Sequence, residues 1–197
     1  MMQHNLLLIL FSALLVNNIV LMRFLGLCPY LGVSRRLDTA GGMAAAVFFV
    51  MLLATWITWP IYHFVLQPWH LVFLRTAAFI LVIASLVQFI EILLKRIAPA
   101  LYTALGIYLP LITTNCAILG VTFIVINENY NFIEATVFAI GTALGFALAL
   151  LLMAGIRERL ELASIPEALK GAPIVFIMAS LMSLAFLGFA GFMGLSL

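Results

Sequence analysis

Six long apolar runs, separated by short polar connectors, fill almost the whole sequence. They cover the following approximate ranges: Leu6–Val33, Gly41–Tyr62, Leu71–Leu94, Ile97–Ile126, Phe132–Ile156 and Ala172–Leu195. A helix needs about 20 mostly apolar residues to cross a bilayer. Each run reaches that length, so the pattern predicts six transmembrane helices rather than the core helices of a soluble protein.

Composition supports this interpretation and excludes several classes of function. Of the 197 residues, 66% are hydrophobic and 8% are charged, whereas soluble domains carry roughly 25% charged residues. A chain of this size cannot bury so much apolar surface in a soluble core. These features exclude a soluble enzyme, a nucleic-acid-binding protein and a large extramembrane catalytic domain. We expect one all-α membrane domain over residues 1–197, in contact with the lipid bilayer.

The basic residues predict an orientation in the membrane. The first, third and fifth connectors contain these basic residues: Arg35, Arg36, Lys95, Arg96, Arg157, Arg159 and Lys170. The second and fourth connectors contain no Lys or Arg. Because cytoplasmic loops collect basic residues, the odd-numbered connectors are predicted to face the cytoplasm and both termini the opposite side. The N-terminus lacks the basic region and cleavage site of a signal peptide, so we expect the first helix to be retained.

Both cysteines of the chain lie in an internal repeat. Cys28–Ser34 aligns with Cys116–Thr122 at an offset of 88 residues, with the shared pattern Cys-x-x-Leu-Gly-Val-Ser/Thr. Three helices separate the two copies, so they are predicted to cross the membrane in opposite directions. That arrangement indicates a 3+3 inverted-topology repeat, with halves of approximately residues 1–96 and 97–197.

The first and fourth apolar runs are longer than a straight helix requires. They contain 28 and 30 residues, about 42–45 Å as helix, against a hydrocarbon core of about 30 Å. Interruption is therefore predicted in both helices, at Gly26, Pro29 and Gly32 and at Gly106, Pro110 and Gly120. Gly- and Pro-interrupted segments at corresponding positions of two halves point to a site near the bilayer midplane.

The paired cysteines, Cys28 and Cys116, allow three interpretations. Buried cysteines can act as small hydrophobic residues, they can form a disulfide, or they can bind a metal; their matched positions favour the metal. Iron–sulfur and structural zinc sites usually need four ligands, and His4, His63 and His70 are predicted at the outer surface. The remaining ligands would then come from a second polypeptide, either another copy or a paralogue. Two thiolates do not distinguish iron from zinc.

Other polar residues near the cysteines could support such a site. Arg23 is either a functional charge within the membrane or a side chain that extends to the interface. Asn18 and Asn115 are candidates for capping half-helices or for hydrogen bonds between helices, and Thr114 for a bond to its own helix.

Five motifs resemble those of the A-type membrane protein of the Rnf-type ion-translocating oxidoreductases. They are Val16-Asn17-Asn18, Gly26-Leu27-Cys28-Pro29, Leu109-Pro110-Leu111-Ile112-Thr113-Thr114-Asn115-Cys116-Ala117, Ile156-Arg157-Glu158-Arg159 and Leu181-Met182-Ser183-Leu184-Ala185-Phe186. The likeness extends through essentially the whole chain. The E subunit of the sodium-pumping NADH:quinone reductase is a close paralogue of this family.

The resemblance implies a component of a bacterial plasma-membrane translocase, without a complete active site of its own, that passes electrons between ferredoxin and NAD, coupled to Na⁺ or H⁺ transport. It implies that Cys28 and Cys116 ligate a [2Fe–2S] cluster shared with a paralogous E-type subunit. Further subunits of the B, C, D and G types would bind the flavins and NAD, and this chain has no Gly-x-Gly-x-x-Gly motif. The residues expected to support the cluster are Asn18, Arg23, Gly26, Pro29, Gly32, Thr114, Asn115 and Gly120.

Two other functions remain open. A secondary transporter or channel could have the same repeat, with cysteines that are incidental to its function. A structural anchor that docks redox subunits to the membrane would tolerate changes at Cys28 and Cys116 but not at packing glycines such as Gly145. Iron content distinguishes the redox subunit from the transporter.

Overall fold

A computed structural model describes residues 5–34, 36–68, 72–97, 115–164, 166 and 169–192. The regular structure of these residues is entirely helical, in agreement with the predicted all-α class. We number the helices of the described residues in chain order: α1 Leu6–Phe11, α2 Leu27–Val33, α3 Leu37–Ile61, α4 Arg75–Ile97, α5 Cys116–Asn127, α6 Phe132–Glu161 and α7 Ala172–Phe192. Turns of π-helix extend α1 to Val16 and α3 to Leu66.

Three of these helices are long and apolar enough to cross a membrane. They are α3 with its π-helical extension, α4 and α6. The apolar helices Leu6–Val16, Cys116–Asn127 and Ala172–Gly188 are shorter. The described residues are thus those of a membrane protein, while the count of six spans stays a prediction.

The first predicted span is interrupted, as expected, but not at every residue we expected. Regular helix stops at Val16 and resumes at Leu27, so the irregular segment consists of residues 17–26. Gly26 ends this segment, whereas Pro29 and Gly32 lie within α2. Pro29 is the third residue of that helix, where its missing N–H costs no helical hydrogen bond. The prediction that Pro29 and Gly32 break the helix was therefore wrong.

The fourth predicted span is described only in its second half. Helix α5 begins at Cys116, and Gly120 lies inside it without interrupting it, so the predicted break at Gly120 was wrong. Gly106, Pro110 and Thr114 lie outside the described residues. Whether the fourth helix is interrupted before Asn115 therefore stays a prediction.

Helix α6 is the central helix, and small side chains allow its neighbours to approach closely. It packs most extensively against α3 and also contacts α1 with its π-helical turn. Its fully buried positions are mainly alanines, at Ala135, Ala139, Ala143, Ala149 and Ala154. Close contact through small residues is the usual basis of helix association in lipid, where apolar side chains gain little from contacting each other.

Gly141 and Gly145 form the contact between α6 and the first helix. A Cβ placed on Gly141 would lie 2.8 Å from the Leu10 carbonyl oxygen, and one on Gly145 would lie 2.9 Å from the Leu14 carbonyl oxygen. Only glycine leaves room for the backbone of the first helix at this distance.

Contacts between connectors define the two ends of the molecule. At one end, the indole N–H of Trp59 donates to the Tyr130 carbonyl oxygen at 3.0 Å, and Arg75 donates to Asn127 at 3.0 Å. At the other end, the Leu37 N–H donates to the Glu158 carboxylate at 3.2 Å. The second and fourth connectors thus share one end, and the first and fifth share the other, which is the grouping that the basic residues predict.

Candidate functional site: the cysteine junction

The irregular segment 17–26 is held in place by the side chain of Asn18. This residue is fully buried, and its Nδ2 donates to the Gly145 carbonyl oxygen of α6 at 2.8 Å. Its Oδ1 accepts from the backbone N–H of Val20 at 3.0 Å. Backbone groups that have left a helix need such partners at membrane depth. Asn18 therefore both satisfies the break and attaches it to the central helix.

A second attachment comes from α7. The Ser183 hydroxyl donates to the Leu21 carbonyl oxygen at 2.7 Å. The irregular segment is consequently bound on one side to α6 and on the other to α7. Two of its residues, Phe24 and Gly26, have positive φ angles of 54° and 80°. This backbone turns the chain sharply into α2.

The end of the irregular segment lies against the start of α5. The backbone N–H of Gly26 donates a hydrogen bond to Cys116 Sγ, with an N···S distance of 2.9 Å. Cys28 follows two residues later, as the second residue of α2, and Cys116 is the first residue of α5. We call Gly26, Cys28, Asn115 and Cys116 the cysteine junction. The two halves of the sequence meet here through residues 90 positions apart.

Asn115 caps α5 at the junction. Its Oδ1 accepts from the Ala117 N–H at 3.0 Å, which is the usual bond of an N-cap residue. A Cβ placed on Gly26 would lie 3.2 Å from this oxygen and 3.0 Å from Ala117 Cβ. Gly26 is therefore required both for its φ angle and for its close contact with the first turn of α5.

The junction lies at the middle of the central helix. A Cβ on Gly26 would lie 2.9 Å from a ring carbon of Phe146, and Phe146 is near the midpoint of the 30-residue helix α6. At about 1.5 Å per residue, either end of α6 is about 21–23 Å away. Helix α2 leads from the junction towards Arg157, near the end of α6, because Arg157 donates to the Leu31 carbonyl oxygen at 2.8 Å. Helix α5 leads to Asn127, next to the start of α6.

The two cysteines differ in exposure. Both are free thiols, Cys28 exposed and Cys116 partly buried. The neighbours of Cys28 in α2, Pro29 and Tyr30, are buried. The Cys28 side of the junction is thus open on the surface of the single chain.

The donor set of the junction fits half of a four-thiolate site. No group of three or more His, Cys, Asp or Glu residues that could hold a metal occurs among the described residues. Cys28 and Cys116 supply two sulfur ligands, and iron–sulfur clusters and structural zinc commonly require four. The residues of this chain therefore fit a metal centre only if a second polypeptide supplies the remaining ligands.

Arg23 lies in the irregular segment and is exposed. Its positive charge lies near Tyr130, in the connector before α6. Burial raises the pKa of Tyr130, Glu128 and Glu134 raise it further, and Arg23 partly offsets them. Arg23 is consequently near the end of the molecule that contains the fourth connector, which favours the interpretation that its side chain extends to the interface.

Gly120, although inside α5, contacts the same segment. A Cβ placed on it would lie 2.7 Å from Leu25 Cδ1. The sequence motifs alone did not identify the anchors from α6 and α7, Gly145 and Ser183, as part of this arrangement. Ser183 lies within a motif of the family resemblance, but nothing in the sequence pairs it with Leu21.

Comparison with known proteins identifies the family. A family profile described as "Rnf-Nqr subunit, membrane protein" matches residues 6–193. The chain belongs to the Rnf-Nqr family. The resemblance inferred from the motifs is thereby confirmed, and the match includes both cysteines and all seven helices of the described residues.

Curated relatives of the Rnf-Nqr chain cover nearly its full length. The A-type component of the ion-translocating oxidoreductase complex of Syntrophotalea carbinolica is 58% identical over 95% of this chain and 97% of its own length. That of the Na⁺-translocating ferredoxin:NAD⁺ oxidoreductase complex of Acetobacterium woodii is 56% identical over the same shares. The corresponding protein of Azoarcus sp. is 54% identical over 94% of this chain and 96% of its own. Membership thus extends to the A-type subunits of this family.

Proposed function

We propose that this chain is the A-type membrane subunit of an ion-translocating ferredoxin:NAD oxidoreductase complex in a bacterial plasma membrane. Its relatives from Syntrophotalea carbinolica and Acetobacterium woodii carry names of such complexes. Identity above 50% over nearly the whole of each chain supports the same role here. The odd-numbered connectors face the cytoplasm and both termini the periplasm in this proposal.

Within that complex, Cys28 and Cys116 provide half of an intramembrane [2Fe–2S] site. The observation that carries this proposal is the hydrogen bond from the Gly26 N–H to Cys116 Sγ at 2.9 Å, because it brings the two cysteine segments together. Backbone N–H bonds to ligand sulfur are a recognised means of setting the potential of such clusters. The position beside Phe146, at the middle of α6, supports a site deep in the bilayer.

A paralogous E-type subunit supplies the other two cysteines in this proposal. Cys28 is exposed on the single chain, so a second membrane protein can approach it directly. The two thiolates of this chain leave half of a four-ligand set to be filled. Flavin and NAD belong to other subunits of the complex, of the B, C, D and G types.

When bound, an iron–sulfur centre supplies one-electron transfer across the low-dielectric layer. The residues of this chain fix its position and respond to its charge. The irregular segment 17–26 is attached to α6 through Asn18 and to α7 through Ser183. A change of charge at the junction therefore acts on a segment that two helices share. We propose that this shared attachment couples reduction to the movement of an inverted 3+3 pair of halves and so to ion passage.

Substitution of the two cysteines tests the proposal. In the purified complex, Cys28→Ser and Cys116→Ser are expected to remove the iron–sulfur signal from electron paramagnetic resonance and to stop electron transfer from ferredoxin to NAD. The complex is expected to assemble, since neither change alters helix packing. Ala45→Ser, which places the same hydroxyl at an exposed position of α3, is the control. Full electron transfer in either cysteine variant contradicts the proposal.

A secondary transporter is the second candidate, because an irregular segment such as 17–26 is also typical of transporter substrate sites. Iron content separates the two functions. A purified complex that lacks iron associated with this chain, and that transports ions when both cysteines are replaced by serine, would favour the transporter.

A further inference from the structure

One buried polar group at the cysteine junction has no partner among the described residues: the side-chain nitrogen Nδ2 of Asn115. Asn115 is only 3% exposed, so water does not satisfy this group. Buried amide nitrogens are nearly always hydrogen-bonded, and each exception calls for an explanation. Asn115 directly precedes Cys116, which places the unsatisfied donor at the proposed cluster.

The orientation of this amide is fixed by its other atom. The Ala117 backbone N–H, at 3.0 Å, needs an acceptor, so the atom that faces it is oxygen and not nitrogen. A Cβ placed on Gly26 would lie 3.2 Å from the same oxygen. The amide therefore cannot exchange its two ends to satisfy Nδ2, and its two N–H groups remain available for an acceptor that joins the junction from outside the described residues.

Asn18 provides a comparison within the same structure. It is also fully buried, but its Nδ2 donates to the Gly145 carbonyl oxygen and its Oδ1 accepts from Val20. The chain thus satisfies the buried amide that holds the irregular segment and leaves unsatisfied the one next to a cysteine. This contrast is what a second hydrogen-bond donor to the cofactor site would produce.

We infer that Asn115 is a positioning residue whose Nδ2 donates a hydrogen bond to sulfur at the bound cluster, in addition to the bond from Gly26. The inference rests on the proposed function. Donors to cluster or ligand sulfur stabilise the additional negative charge of the reduced state and so raise the reduction potential. Asn115 thereby has two roles: its oxygen caps α5, and its nitrogen tunes the centre at the start of that helix.

Asn115→Ser separates the two roles. Serine is an efficient N-cap, so the variant keeps the acceptor for Ala117 and loses the amide donor. In the purified complex, we expect the midpoint potential of the centre to fall, with an approximately tenfold smaller equilibrium constant for reduction, or about 59 mV for a one-electron couple. Asn131→Ser, the same change at the N-cap of α6, is expected to leave the potential unchanged. Asn115→Asp, which keeps the shape and the cap but has no amide donor, is expected to lower the potential as well.

A thermal-stability cycle excludes a merely structural role. We expect Asn115→Ser to lower the melting temperature of the iron-loaded complex but to have little effect when Cys28 and Cys116 are both serine, because the donor then has no acceptor. Equal losses in both backgrounds, or a potential that matches that of Asn131→Ser, would overturn the inference. A wild-type complex without any iron signal would instead contradict the proposed function itself.

Discussion

The Gly26 N–H and Cys116 Sγ are joined by a hydrogen bond of 2.9 Å between two parts of the chain that are 90 residues apart. Gly26 closes an irregular segment of the first apolar run, and Cys116 opens the helix of the fourth. The bond therefore connects the two segments that the internal repeat relates. Its formation depends on a glycine with a φ angle of 80° and on a close approach to Phe146 and Ala117.

We expect Gly26→Ala to displace this N–H from Cys116. The new Cβ would meet Phe146, Ala117 and Asn115 at 2.9–3.2 Å, in addition to the cost of a left-handed backbone, which is roughly 1–2 kcal/mol. The control is Gly171→Ala, since Gly171 has a φ of 95° but no atom within 4 Å of its Cβ position. The iron–sulfur spectrum is expected to change in the first variant only. Identical spectra and iron content in both would show that the Gly26 contact does not shape the site.

We expect Gly145→Ala to destabilise the contact between the first helix and α6. Its Cβ would lie 2.9 Å from the Leu14 carbonyl oxygen and 3.2 Å from Asn18 Nδ2. Overpacking of this kind costs about 1–3 kcal/mol, which a lower melting temperature in detergent would report. Gly155→Ala on the same helix meets nothing within 4 Å and is expected to leave the melting temperature unchanged or slightly higher. If both variants melt alike, the close contact is not a source of stability.

Arg157 is expected to secure the end of α2. Its guanidinium donates to the Leu31 carbonyl oxygen at 2.8 Å and to Ser34 Oγ at 2.9 Å. Arg157→Lys keeps the charge but cannot reproduce this planar pair of donors, so we expect a loss of about 1–3 kcal/mol in the free energy of unfolding. Thermal unfolding in detergent measures it, with Arg159→Lys, at an exposed position of α6, as the control. Equal melting temperatures for the two variants would contradict this role.

Much of the fold follows from hydropathy alone. Continuous apolar runs predicted the long helices α3, α4 and α6, and the polar residues Asn131 and Glu134 mark the start of α6 with a capping box. The end of α6 was predicted at Ile156, but the helix continues to Glu161. Apolar patterning cannot locate that end because the last turn extends into the polar connector, where Arg157 and Glu158 bond to the first connector.

The candidate site was only partly predictable. The repeat identified Cys28 and Cys116, and the excess length of the first run indicated a break. The position of that break was missed because it depends on Asn18, whose partner Gly145 lies 127 residues away. Pro29 was predicted to break the helix, although proline is well tolerated in the first turn of a helix. Such long-range partners have no signal in local sequence.

The central claim is that Cys28 and Cys116 lie close together and share an inorganic centre, and iron-dependent protection of the two thiols tests it most directly. Alkylation of each cysteine in the intact complex, followed by mass spectrometry, is compared before and after removal of iron by a chelator. The account predicts that both thiols resist alkylation in the loaded complex, that both react after chelation, and that a short thiol-to-thiol cross-linker then joins Cys28 to Cys116. Equal alkylation with and without iron, together with no cross-link between these residues, would contradict it.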